Sequence, residues 1–159
     1  MALDMFLDID TVKGEAKDKQ YKDKIDILAW SWGASNSGSA HVGGGMGSGK
    51  ANFQDISVTK YIDLASTTIL GAVSKGKHFP KAKLIVRKAG GDKPVDYYVI
   101  EMEDVMVTSY STGGSGGEDR LTENVTLNFA KFKAIYTPQD KAGAGAGNVP
   151  FEYNIAENA

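Results

Sequence analysis

At 159 residues, with 42% apolar and 24% charged side chains, the chain has the size of one globular domain and leaves little room for two. A formal charge of −2 supplies no basic surplus for neutralising phosphates, which argues against nucleic acid as a partner. The absence of cysteine excludes disulfides, thiolate nucleophiles and cysteine-ligated zinc or iron–sulfur centres.

The first ten residues carry no basic segment, and Asp4, Asp8 and Asp10 interrupt anything resembling a signal-peptide core. Synthesis and folding in the cytoplasm are therefore expected, with no cleavable signal. No stretch approaches the ~20 apolar residues that span a bilayer, so no membrane insertion is expected.

In chain order, period-two alternation predicts strands over 4–9, 24–34, 52–59, 81–88, 95–110 and 121–129, with a last one over 151–155. In 24–34, Leu28, Trp30 and Trp32 share the face suited to the core. Ile27, Ala29, Ser31 and Gly33 then point the other way. One helix is expected to start at Ser66 as N-cap, carry Ile69, Leu70 and Val73 on one stripe, and end at Gly76. Residues 89–94 turn 81–88 into the next strand as a hairpin. Val125, Leu127 and Phe129 alternate with Asn124, Thr126 and Asn128, but from Ala130 the phase inverts, which predicts a β-bulge or passage to a second surface.

About seven or eight strands with one helix point to a mainly β fold. The expected form is a single β-barrel of two packed antiparallel sheets with one short flanking α-helix. One domain covers 1–159, with a flexible Gly/Ala connector at 141–147 before the last strand.

The segment Gly44-Gly-Met-Gly-Ser-Gly49-Lys50-Ala51 satisfies the glycine and lysine positions of a P-loop. It fails at Ala51, where magnesium needs Ser or Thr, and the next segment alternates as a strand where a helix is required. No cofactor is expected. The loop 35–50 is long for a small domain and costly to order, so it reads as an arm that orders on a neighbouring subunit, with His41, Gly43, Gly44, Gly45, Gly47, Gly49 and Lys50 as candidate ring-contact or stacking residues; a disordered loop with no role is the alternative. His41 and His78 have no metal-ligand spacing, and no metal site is expected. Glu118, Asp119 and Glu123 read as a charged turn and not as an acid–base pair, and no catalytic residue is assigned. Asn124-Val-Thr126 matches a glycosylation sequon but fits ordinary strand alternation.

Several blocks in order carry a family resemblance: Met1-Ala-Leu-Asp-Met-Phe6, Val12-Lys-Gly-Glu15, Ile25-Asp-Ile-Leu-Ala-Trp-Ser-Trp-Gly33, Thr59-Lys-Tyr-Ile-Asp63, Gly76-Lys-His78, Arg87-Lys-Ala-Gly-Gly91 and the long run from Ser111 to Leu127. Together they resemble the haemolysin-coregulated protein (Hcp) family of type VI secretion, from Met1 to about Tyr136. The resemblance implies a non-enzymatic subunit that closes into a hexameric ring and stacks into an inner tube. Implied partners are copies of itself, a contractile sheath, a baseplate, a spike protein and effector proteins in the lumen. It also implies export from the cell. Strand parity combined with the resemblance makes Ala29 and Ser31 candidates for the lumen, with a subunit contact as the alternative for Ser31. A monomeric ligand-binding β-sandwich is the competing reading, which would expose aromatics along a groove.

Overall fold

The computed structural model describes residues 3–38, 50–88, 94–139 and 147–159. Among these, the elements in order are β1 (Leu3–Ile9), β2 (Ile25–Asp26), β3 (Ala29–Ser31), β4 (Ala34–Asn36), β5 (Ala51–Phe53), β6 (Ile56–Tyr61), α1 (Ala65–Lys75), β7 (His78–Lys88), β8 (Val95–Gly113), β9 (Thr122–Tyr136) and β10 (Val149–Asn154). All pairings are antiparallel, and the main sheet runs β2-β1-β7-β8-β9-β6-β3 with β10 added on β9.

The long strands β8 and β9 belong to two half-sheets. The first half of β9 pairs with β6 and the second half with β10. Likewise β1 pairs with β7 only from Ala82 onward. The boundary is a single row, Pro80, Asp104 and Ala130, where three neighbouring strands change phase together: buried positions jump from Phe79 to Ala82, from Met102 to Val105, and from Phe129 to Phe132. Asp104 there has φ of 53°. A skip of one residue inverts side-chain parity, so each strand can bend at this row and still present apolar groups to one core. The inversion legible at Ala130 is thus a corner of the whole sheet.

Closure comes from residues 25–31. Their start pairs with β1 and their end with β6, while Ile27 N–H donates to Met5 O and Leu28 N–H to Thr59 O. The expected single strand over 24–34 is therefore broken into short pieces. Because the segment changes sheets at Ile27 and Leu28, its parity breaks there: Ile27 is buried and Leu28 is 42% exposed, the reverse of the expectation. Trp30 and Trp32 do pack on the core, partly buried. The expected strand over 52–59 is also split, because Gln54 turns away to donate its N–H to Gly33 O.

The barrel core gathers Leu7, Ile9, Ile56, Val58, Leu84, Ile100, Val107, Val125 and Leu127 from both half-sheets. A second cluster, Phe6, Ala16 and Ile85, lies outside β1 and β7 under the strap formed by residues 10–24. Strands covered on both faces lose their polar alternation, which accounts for the run Leu84-Ile85-Val86. Arg87 fastens the strap. Its guanidinium donates to both carboxylate oxygens of Asp18 and to Asp4, and lies over the rings of Phe6 and Tyr21. Hydrogen bonding to Arg87 holds the Asp18 carboxyl at about 2. Burial, and then the Asp96 carboxylate that accepts the Tyr21 hydroxyl, push the Tyr21 phenol above its ordinary range.

Helix α1 covers the floor of the barrel with Ala65, Ile69 and Ala72. It starts one residue before Ser66, which is no cap: Asp63 accepts the Ala65 N–H, and the Ser66 hydroxyl accepts the Asp63 N–H from inside the first turn. Gly76 ends the helix with φ of 61°, the left-handed geometry that glycine takes without strain. Leu70, expected on the buried stripe, is 46% exposed, and Ala72 takes its place because the contact face lies further round the helix.

Candidate functional surface

The outward face of the half-sheet β3-β6-β9-β8 is built from two cross-strand rows. One runs Ser31, Ser57, Thr126, Ser109; the other runs Ala29, Thr59, Asn124, Ser111. No residue in either row carries a charge. The pleat puts these side chains outside because Ile56, Val58, Val125 and Leu127, their neighbours in sequence, fill the core. Ala29 and Ser31 stand on β3, the strand at the end of the sheet path, and both are exposed.

Hydroxyls and amides on this face bond sideways to one another. The Thr59 hydroxyl donates to Asn124 Oδ1 at 2.7 Å, and the Thr126 hydroxyl lies 2.6 Å from Ser109 and 2.7 Å from Thr108. The register shift between Val107 and Ser109 is what brings Thr108 to this side as well as Ser109. A carboxylate enters only at the rim, where Asp55 accepts from Thr108 and Asn128. Between Asp55 at one rim and the Arg120 guanidinium over the Tyr61 ring at the other, the two rows themselves offer short, mutually satisfied polar groups and no fixed charge.

The outward face of the other half-sheet differs. One row across β1, β7, β8, β9 and β10 reads Asp8, Lys83, Glu101, Lys133, Glu152, and the next reads Lys81, Glu103, Lys131. Signs alternate at every step. The groove of about 410 Å³ over these rows is walled mainly by the same charges, which is unlike the apolar lining of a small-molecule site.

Behind the neutral face lies a charged group that the sequence reading missed. Lys60 and Glu123, direct partners of β6 and β9, are both fully buried and ion-paired. Lys60 also donates to Tyr61 O and Asp63, and the Ser66 hydroxyl donates to Glu123 at 2.6 Å. Burial acts to raise the Glu123 pKa, but the bonds from Lys60, Ser66 and Tyr110 outweigh it and leave the carboxyl below its ordinary value. Burial and the facing Glu123 push the Tyr110 phenol up to about 12. Glu123 is thus a strand residue in the interior and not part of a charged turn. Its place was visible in the alternation Glu123, Val125, Leu127, which puts it on the core side.

The arm's base is a short ladder of β4 and β5, so Ser35 and Asn36 belong to a strand and not to the loop. Lys50 is exposed and leads directly into β5, so no helix follows it as a P-loop requires. His41, Gly43, Gly44, Gly45, Gly47 and Gly49 lie outside the described residues, as does the connector at 141–147 apart from Gly147. Among the described residues no cluster of three or more His, Cys, Asp or Glu side chains could hold a metal, and no helix is long and apolar enough to cross a membrane.

A family model described as "Type VI secretion system effector, Hcp" matches residues 6–136. The chain belongs to the Hcp family of type VI secretion proteins. It is 57% identical to Protein hcp1 of Pseudomonas aeruginosa across 99% of this chain and 98% of that one. Among solved structures, one titled as a type six secretion system protein superposes with a TM-score of 0.93 at 32% identity, covering 99% of both chains. Hcp1 from Salmonella typhimurium superposes with a TM-score of 0.82 at 33% identity, covering 99% of this chain and 98% of its own. The curled, mainly β architecture with one short helix is therefore the Hcp architecture, and Hcp proteins are secreted structural proteins of the type VI system.

Proposed function

We propose that this chain is a non-enzymatic ring subunit of a type VI secretion inner tube, with its neutral β3-β6-β9-β8 face turned to the lumen. Hexameric rings stack within a contractile sheath between baseplate and spike, carry effector proteins, and leave the cytoplasm. The observation that carries the reading is the pair of uncharged rows ending at Ala29 and Ser31. A conduit wall has to hold cargo weakly and release it, and satisfied hydroxyls without charge traps supply contacts of that kind.

Ring closure needs two different surfaces on each subunit that complement each other. Two separate exposed apolar sets suit that need: Val149 and Phe151 on β10, each 60% exposed, and Leu64 and Leu70 at α1, 57% and 46% exposed. The glycine-rich arm at 39–49, mounted on the β4–β5 ladder, is the proposed contact to an adjacent subunit or ring.

The test is negative-stain imaging and light scattering of the purified chain. Six-fold rings are expected, whereas a stable monomer at micromolar concentration favours the ligand-binding sandwich. In the ring, Ser31→Gln is expected to leave size and secondary structure unchanged and to reduce retention of effector proteins. Unchanged retention removes Ser31 from the lumen.

A further inference from the structure

We propose that the buried Lys60–Glu123 pair is a register lock that fixes β6 on β9, making both residues positioning residues for the neutral face. The inference rests on strand pairing alone and holds whether or not the chain assembles into tubes.

Side-chain parity forbids a slip of one residue, since that would bury Ser57 and Thr59 and expose Ile56 and Val58. Parity does not forbid a slip of two. In the observed register Ile56 faces Leu127 and Val58 faces Val125. Sliding β6 by two residues in one direction sets Ile56 on Phe129 and Val58 on Leu127, which are equally apolar partners. On the outer face, Ser57 would meet Asn128 and Thr59 would meet Thr126, again small and polar.

The ion pair breaks this near-degeneracy. After that slip Lys60 would face Val125 and Glu123 would face Ile62; after the opposite slip Lys60 would face Leu121 and Glu123 would face Val58. Two of the three donors to Glu123, Lys60 and Ser66, travel with the β6–α1 segment, so either slip strips the carboxylate of its cation and of the Ser66 hydroxyl at once and leaves it only Tyr110 of β8. An unpaired charge in the interior costs far more than an exchange of one aliphatic contact for another. The bonds of Asp55 to Thr108 and Asn128 favour the same register, but they lie at the exposed rim, where such contacts contribute little.

Disulfide trapping tests the lock, and the natural absence of cysteine keeps the background clean. The probes are Ser57→Cys with Thr126→Cys for the native register, and Ser57→Cys with Asn124→Cys or Asn128→Cys for the two slipped ones. Diagonal neighbours at roughly 7–8 Å fall beyond disulfide reach, so each pair reports its own register. With Lys60 and Glu123 in place, only the native pair is expected to oxidise. In Lys60→Met/Glu123→Leu, whose shape is retained and whose charges are gone, at least one slipped pair is expected to oxidise as well, in a protein that still folds. Oxidation of the native pair alone in that variant overturns the proposal. So does failure of the variant to fold, because the pair would then be a source of stability and not of register.

Discussion

The two half-sheets of this barrel share β8 and β9 and enclose one core, yet their outer faces differ in kind. One is paved with Ser, Thr, Asn and Ala; the other carries acids and bases in strict alternation across five strands. The core constrains only the inward half of each strand, so the outward half is free to be set by what the face meets. Alternating exposed charges keep a surface hydrated and unattractive to edge pairing, and each pair contributes little. An uncharged face has no such repulsion, which suits close but weak contact with a passing chain.

The largest expected effect lies beneath the neutral face. Lys60→Met leaves Glu123 buried without its cation and is expected to cost about 3–5 kcal/mol. At roughly 2–4 °C per kcal/mol for a chain of this size, the melting temperature followed by circular dichroism should fall by about 6–20 °C.

Next comes the strap behind the charged half-sheet. Arg87→Met removes the donors of Asp18 and Asp4 and is expected to cost about 1.5–3 kcal/mol. Its pH signature is specific. The folded pKa of Asp18 lies near 2, below the ordinary carboxyl value of 3.8, so its contribution is complete above the unfolded pKa and is lost as pH falls from about 4 towards 2. Glu123, also lowered, acts in the same direction. Urea midpoints across this window should fall less steeply in Asp18→Asn than in the parent chain, and an unchanged slope would remove Asp18 from acid unfolding.

On the neutral face itself, Thr126→Lys or Ser31→Gln should change stability by no more than about 0.5 kcal/mol, because neither position faces the core. The difference should appear in effector retention, where Thr126→Lys introduces the charge that the face lacks. The smallest effect is expected in the ladder: Glu101→Gln should cost under about 1 kcal/mol, and the cost should shrink as salt rises. A larger cost at low salt that disappears at high salt would mean the ladder acts as a network.

By itself the sequence determined what depends on neighbours along the chain. Alternation in 121–129, the inverted phase after Ala130 and the stop at Gly76 are local consequences of the pleat and of left-handed glycine geometry. The family was legible because its blocks recur in order, and Ala29 and Ser31 could be named as outward residues from parity. Tertiary structure decided the rest. Residues 25–31 leave β1 for β6 midway, so Ile27 and Leu28 exchange the places that continuous alternation would assign them. Leu70 loses its buried place because the face of α1 is chosen by the barrel floor and not by the stripe. Lys60 and Glu123 are separated by 63 positions, and although alternation alone puts Glu123 on the core side, nothing along the chain pairs it with Lys60. Only the pairing of β6 with β9 brings them together in the interior, because a buried charge is tolerated where its partner is, and that partner is supplied by the fold.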